Sequence, residues 1–199
     1  MASSITVTTS PAGLEDFIDS IPPSATLYLD LEGNSLSRNG TVSIITILVN
    51  PTKITRLIDV QTLGSAVFTT PAANGKTLKT VLEDPHISKC LWDVRNDADA
   101  LCAHYKVRIA GVTDIQLLEN AAHIGDKKYV RGLGICVEND LDLELSESNS
   151  WNWTKRRVMN LMTQNIFAKR PLDPESAKYC FNDVVHRPAL YRTYLQRSG

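Results

Sequence analysis

Two carboxylates stand two residues apart at the end of an apolar segment, Asp30 and Glu32 in TLYLDLE. If this segment is a β-strand, the alternation of its side chains places both carboxylates on one face. Two acids held side by side repel each other, and a divalent metal ion is one charge that compensates such a pair. A solvent-facing pair of acids at a strand end is the alternative that this motif alone leaves open.

Two further motifs carry acids in apolar surroundings. Asp97 follows the apolar segment KCLWDV and begins a stretch with helical spacing, where it could also serve as a helix cap. Tyr179 and Asp183 are four residues apart, so they share one face of a predicted helix, and a packed carboxylate there needs a partner. That partner could be the tyrosine itself or a nearby arginine. Taken together, four acids and one tyrosine in this order indicate one common site.

The elements that carry these motifs are predicted from hydrophobic periodicity. Three β-prone segments joined by short connections indicate an antiparallel meander over residues 26–31, 41–49 and 56–60. A buried strand over 89–94 and helices over 78–83, 97–105, 113–122, 131–138, 153–168 and 174–195 follow, the last with a kink at Pro188. Strands first and strand–helix alternation afterwards predict an α/β fold with a mixed sheet.

Composition limits the domain organisation and the kind of nucleic-acid binding. The chain has 199 residues, of which 43% are hydrophobic, which predicts a single domain over residues 1–199 with a core from about 11 to 197. The formal net charge is −1, so no global basic field attracts nucleic acid. A nucleic-acid ligand therefore needs local contacts or bound cations.

The cysteines and the apolar runs bear on the cellular environment. Four cysteines (90, 102, 136 and 180) lack C-x-x-C spacing and have apolar neighbours, so we expect buried free thiols in a reducing intracellular compartment, either nucleus or cytoplasm. Residues 1–11 lack the apolar core of a signal peptide, and no apolar run has the length of a membrane span. We therefore expect no membrane partner.

In their order and spacing, these motifs resemble the DEDDy-type 3′–5′ exonucleases, the RNase D-like branch of the ribonuclease H-like superfamily. The segments that carry the resemblance are LYLDLEGNSLSRNGTVSIITI, KCLWDVRNDADALCAHYKV, YVRGLGICVEND and RPLDPESAKYCFNDVVHRPALY. The resemblance covers about residues 11–197. It implies a mixed five-stranded sheet, an antiparallel meander followed by parallel strands, with flanking helices and a helical C-terminal part.

The resemblance also implies a site and a reaction. Asp30, Glu32, Asp97 and Asp183 would hold two divalent cations, Mg²⁺ or Mn²⁺, and Tyr179 would orient the attacking water and help to deprotonate it. The implied substrate is single-stranded nucleic acid with a free 3′ end, RNA rather than DNA, cut to nucleoside 5′-monophosphates.

Substrate contacts are predicted in the turn after Glu32 and in the run Lys155–Arg157, which stands beside Trp151 and Trp153. The predicted contact residues are Leu31, Leu36, Arg38 and Arg156. We expect His186 to be structural rather than a base. Because no further module is recognised in the sequence, a partner protein is expected to supply specificity.

Two other functions stay open at this point. The chain could be a nucleic-acid-binding or scaffold module with the same fold and weak catalysis. It could also be a metal-dependent endonuclease of the wider ribonuclease H-like superfold, which likewise uses clustered carboxylates. The Y-x-x-x-D motif on a late helix favours the exonuclease.

Overall fold

A computed structural model describes residues 5–198 of the chain. The predicted domain over 1–199 also contains Met1–Ser4 and Gly199, which lie outside the described residues. The strands are β1 (Thr6–Thr8), β2 (Thr26–Glu32), β3 (Ile44–Asn50), β4 (Ile54–Asp59), β5 (Ser88–Leu91) and β6 (Val112–Asp114). They form one sheet in the order β1-β4-β3-β2-β5-β6.

The mixed sheet is confirmed, but its strand count of six corrects the predicted five. β2, β3 and β4 form the antiparallel meander, while β1 pairs parallel to β4, and β5 and β6 follow parallel to β2. The edge strands β1 and β6 have three residues each, and β1 lies in a Thr-rich segment. Both edges depend on backbone pairing with a neighbouring strand, so hydrophobic periodicity does not reveal them.

Helices cover both faces of this sheet. They are α1 (Pro11–Asp19), α2 (Val60–Leu63), α3 (Ala66–Thr69), α4 (Leu78–Glu83), α5 (Val94–Tyr105), α6 (Ile115–Ala122), α7 (Leu133–Asp140), α8 (Leu145–Met159), α9 (Pro174–Val185) and α10 (Arg187–Arg197). The helix predicted over 174–195 is divided at His186, because Pro188 in the first turn of α10 has no N–H to continue α9. None of the helices within residues 5–198 has the length and apolar character that crossing a membrane requires.

Alternation along β2 sends its side chains into two different parts of the core. Leu27, Leu29 and Leu31 pack with α1, α4 and α5 on one face of the sheet. Tyr28 packs on the other face with residues of α6, α7, α8 and α10. Asp30 and Glu32 continue the Tyr28 series, so they emerge on this second face, against which α9 also packs.

The cysteines are all free, but only three have the predicted burial. Cys90, Cys136 and Cys180 are buried, whereas Cys102 on α5 is exposed, which corrects the prediction for that residue. Its apolar neighbours Ala100 and Leu101 are fully buried on the other side of α5, since adjacent helix residues point in different directions. The reducing compartment stays a prediction.

Candidate active site

β2 presents the first two acids from the centre of the sheet. Asp30 and Glu32 lie opposite Thr46 and Ile44 of β3, and both are partly buried. β2 pairs with β3 over its whole length but with β5 only over its first three residues, so the two acids stand where β2 extends beyond β5.

α9 brings two more side chains of the predicted site to this strand end. Asp173 caps the start of α9 by accepting from the backbone N–H groups of Glu175 and Ser176. Tyr179 and Asp183, one turn apart on the helix, are 6% and 7% exposed. One carboxylate oxygen from each of Asp30, Glu32 and Asp183 lies within 4.8 Å of the other two.

Asp97 enters the same region from α5. The helix begins at Val94, three residues earlier than predicted, so Asp97 lies in its first turn and is buried rather than capping it. Its oxygens are outside the group of three, yet burial and then the charge of Asp30 raise the pKa of Asp97. We call Asp30, Glu32, Asp97 and Asp183 the acid cluster.

The acid cluster carries more negative charge than its surroundings offset. Burial, followed by repulsion from the other carboxylates, raises the pKa of Glu32 and of Asp97 well above the ordinary values. Burial also raises the pKa of Asp183, although Lys155 opposes that shift. Burial and the neighbouring carboxylates raise the pKa of the Tyr179 phenol far above its usual range.

Two basic side chains face the acid cluster. Lys155 on α8 places its Nζ 3.4 Å from Asp183 Oδ1 and 5.4 Å from the centroid of the Tyr179 ring. Arg187, at the start of α10, donates from its guanidinium to the Asp30 carboxylate and to the Leu29 carbonyl oxygen. Sequence reasoning missed Arg187, because it lies in α10 beyond the end of α9 and its contact with Asp30 joins residues far apart in the chain.

The other predicted contact residues have different surroundings. Leu31 is 3% exposed and packs in the core on the face opposite Asp30, so its side chain has no route to a substrate, which corrects that prediction. Leu36 is partly buried against the same core, because the turn that carries it folds back onto the domain. Arg156 is exposed on α8, outside the acid cluster.

The turn between β2 and β3 is fixed onto α5. Arg38 donates from its backbone N–H and its guanidinium to Asp99, at 2.9 Å and 2.5 Å, and His104 Nε2 lies 2.9 Å from the Ser37 carbonyl oxygen. A Cβ on Gly33 would lie 1.8 Å from the Thr41 carbonyl oxygen, so the backbones on the two sides of the turn touch. Arg38 thus has a structural partner beside the site.

His186 lies between α9 and α10 and is buried. Its Nε2 is 3.8 Å from Glu147 Oε1, and burial lowers the pKa of the imidazole despite that carboxylate. The structural role expected for His186 stays a prediction.

The donor set of the acid cluster fits a hard divalent cation. Carboxylate oxygens are the ligands that Mg²⁺ and Mn²⁺ prefer, and three of them converge within one ion's reach. The raised pKa values indicate that the site lacks positive charge, which such a cation would supply.

Comparison with known proteins agrees with this geometry. The sequence profile described as 3′–5′ exonuclease matches residues 5–195. The chain belongs to this 3′–5′ exonuclease family. The resemblance noted from the motifs is thereby confirmed at the level of the family, whose members typically use divalent metal ions. A search of curated proteins finds no match.

Solved structures share the fold of this family member. The GMP complex of Trypanosoma brucei RNase D is 22% identical, with a TM-score of 0.78 over 96% of this chain and 57% of that one. The complex of the same RNase D with U12 RNA is 24% identical, with a TM-score of 0.76 over 96% of this chain and 62% of that one. The catalytic core of RRP6 from the same organism is 17% identical, with a TM-score of 0.70 over 99% and 47%. The chain therefore spans about half to two thirds of these proteins.

Proposed function

We propose that the chain is a metal-dependent 3′–5′ exonuclease that hydrolyses single-stranded RNA from its 3′ end and releases nucleoside 5′-monophosphates. The observation that carries the proposal is the convergence of Asp30, Glu32 and Asp183 within 4.8 Å, with Tyr179 one turn from Asp183. The preference for RNA and the monophosphate product draw support from the U12 and GMP complexes of Trypanosoma brucei RNase D.

In this proposal the acid cluster holds two divalent cations, Mg²⁺ or Mn²⁺. Asp30, Glu32 and Asp183 provide one set of oxygen ligands, and Asp97 contributes from α5. The chemistry that bound cations supply is acidification of a water molecule and stabilisation of the departing 3′ oxygen. With four carboxylates around it, the site also repels the anionic substrate unless cations are present.

Tyr179 and Lys155 complete the proposed site. Because its pKa is raised, the Tyr179 phenol keeps its proton and can donate a hydrogen bond, so we assign it the orientation of the attacking water. Of the two roles expected from the sequence, the proposal keeps the orientation of the water and drops its deprotonation by Tyr179. Lys155, with 24% of its side chain exposed, attracts a phosphate to the edge of the acid cluster.

Selection of the substrate rests on local contacts in this proposal. The formal net charge of −1 provides no long-range attraction, so the exposed Arg156 and Arg157 of α8 would bind phosphates near the site. Arg157 stacks its guanidinium 5.2 Å from the centroid of the Trp153 ring, a combination suited to single strands. A partner protein would add specificity that these few contacts do not provide.

Digestion of matched oligonucleotides tests the proposal. Linear single-stranded RNA and DNA of one sequence and circular RNA, all labelled along the whole strand, would be incubated with wild type and Asp183→Asn in Mg²⁺, Mn²⁺ or EDTA. We expect a ladder of shortened products and free mononucleotides from linear RNA, with wild type and metal only.

Other outcomes would select another function. Cleavage of circular RNA into internal fragments would indicate an endonuclease. Binding of RNA by both proteins without any cleavage would indicate a binding or scaffold module. Full activity in EDTA would contradict the role of metal ions, and faster cleavage of DNA would overturn the preference for RNA.

A further inference from the structure

Arg187 is a charged side chain buried directly against the acid cluster. It is 2% exposed and is the first residue of α10, four residues beyond Asp183. Its guanidinium donates to the Asp30 carboxylate and to the Leu29 carbonyl oxygen, whereas its Nε is buried without a hydrogen-bond partner among the described residues. Burying an arginine this incompletely satisfied is unfavourable, so the carboxylates must compensate for its charge.

The charges around Arg187 show how far that compensation extends. Besides Asp30, the carboxylates of Asp183 and Asp97 act electrostatically on the guanidinium. Lys155 faces Asp183 from α8. When all four carboxylates are ionised, Lys155 and Arg187 offset only part of their negative charge, and divalent cations would offset the rest.

We propose that Arg187 is a resident counter-ion of the acid cluster, which competes with a divalent cation for the Asp30 carboxylate. The proposal rests on the proposed function, because it requires the acid cluster to bind metal. Without metal, Arg187 holds Asp30 in place and offsets part of the repulsion. With metal, Asp30 is shared between two positive groups, so Arg187 lowers the metal affinity. Arg187 is a positioning residue, since it acts through Asp30.

A purely structural ion pair between α10 and β2 is the competing explanation, and the two differ in metal binding. If Arg187 only ties α10 to the sheet, removing it weakens the fold and leaves metal affinity equal or lower. If Arg187 competes, removing it frees a ligand and removes a repulsive charge, so metal binds more tightly. Folding free energy then depends more strongly on metal concentration.

Arg187→Met and Arg187→Lys separate these explanations. Methionine keeps an unbranched apolar stem without charge, and lysine keeps the charge. Mn²⁺ would be titrated into wild type and both variants by calorimetry, with Tm measured in EDTA and in Mn²⁺. For Arg187→Met we expect a lower Tm in EDTA, a Kd for Mn²⁺ at least about tenfold lower and a larger Mn²⁺-induced rise in Tm. The Kd of Arg187→Lys should stay within about threefold of wild type.

Arg131→Met is the matched control, because Arg131 pairs with Glu119 and Asp140 away from the acid cluster. It should lower Tm and leave the Kd for Mn²⁺ unchanged. The inference fails if Arg187→Met binds Mn²⁺ no more tightly than wild type, or stays unfolded in saturating Mn²⁺. If wild type binds no Mn²⁺ but Arg187→Met does, the competition stands and the proposed function fails. If neither binds, both fail.

Discussion

Among residues 5–198, two groups of side chains place possible ligand atoms close enough to hold a metal ion, and they differ in how their charge is balanced. The first lies within the acid cluster, at Asp30, Glu32 and Asp183. The second, which we call the paired cluster, consists of Glu119, Cys136 and Asp140. In the paired cluster, Arg131 donates to Glu119 at 2.8 Å and to Asp140 at 2.5 Å.

The two clusters have opposite electrostatics. Burial tends to raise the pKa of Asp140, but hydrogen bonds from Arg197, Tyr194 and Arg131 hold it below the ordinary value. In the acid cluster, burial and mutual repulsion raise the pKa of Glu32 well above its ordinary value. The carboxyl groups of Asp140 and Glu32 thus shift in opposite directions, because only the first has several hydrogen-bond donors around it.

Proximity of acids is therefore a poor guide to a metal site in this chain. The paired cluster joins α6 and α7, and hydrogen bonds from Arg131 and from Arg197 of α10 already satisfy its carboxylates. The acid cluster has an arginine at one carboxylate and a lysine at another, which leaves charge for a cation to balance.

The largest effect should come from removing one charge from the acid cluster. Asp183→Asn keeps the shape of the side chain and removes a predicted metal ligand. We expect exonuclease activity to fall by about 10⁴-fold, corresponding to the several kcal/mol that metal-dependent charge stabilisation provides. Single-turnover rates on labelled RNA in Mn²⁺ would measure this loss, and the Kd for Mn²⁺ should rise in parallel.

Asp140→Asn is the matched substitution in the paired cluster. It should lower the free energy of unfolding by about 1–3 kcal/mol, because Arg131 and Arg197 lose a charged acceptor. Activity per folded molecule should be unchanged. A comparable loss of activity in both variants would remove the distinction between the clusters.

Tyr179→Phe should affect the rate without affecting metal affinity. The substitution removes one hydroxyl beside Asp183 and keeps the ring packed near Phe167, 5.9 Å between centroids. We expect the single-turnover rate to fall by about 10²–10⁴-fold, the usual range for a lost proton-transfer or water-orienting group. Calorimetry with Mn²⁺ should give the wild-type Kd. Cleavage at the wild-type rate would make Tyr179 a packing residue.

The motif order predicted the acid cluster better than it predicted the cations around it. Asp30 and Glu32 follow from strand alternation, and Asp183 follows from its turn with Tyr179, since both patterns repeat with the period of their element. Arg187 lies beyond the break at His186, and its contact with Asp30 spans 157 residues. Local periodicity carries no information on such a contact.

The sheet shows the same limit. β2 and β3 are apolar enough to be predicted from their own residues, because they are buried on both faces. β1 joins β4 through register pairs such as Val7 with Leu57, and its Thr residues give no strong strand signal. Elements that depend on a distant partner for their stability are the ones that a single sequence does not reveal.

Arg131→Met should have a smaller effect than the variants that lose catalytic rate, and the effect should be on stability. It leaves Glu119 and Asp140 without their shared partner, and Glu119 is almost fully buried. We expect the free energy of unfolding to fall by about 3 kcal/mol, the low end of the range for breaking a buried ion pair. Urea denaturation in EDTA would measure it. An unchanged urea midpoint would show that Arg197 and His123 balance the charge of Asp140 and Glu119 without Arg131.

The smallest effect should be a gain in stability from Glu32→Gln in the metal-free protein. Because the pKa of Glu32 is higher in the folded chain than its ordinary value of 4.5, the folded state binds more protons above that pH. Stability of the metal-free wild type should therefore decrease as pH rises from about 5 to 7, by up to 1.4 kcal/mol per pH unit for each extra proton. Glutamine does not ionise, so Glu32→Gln should flatten this dependence and be more stable at pH 7 by about 1 kcal/mol.

Urea denaturation in EDTA across this pH range would measure the stability of wild type and of Glu32→Gln. Mn²⁺ should reverse their order, since only the wild type keeps the full set of ligands. Equal pH dependence in the two proteins would show that Lys155 and Arg187 already balance the charge of Glu32.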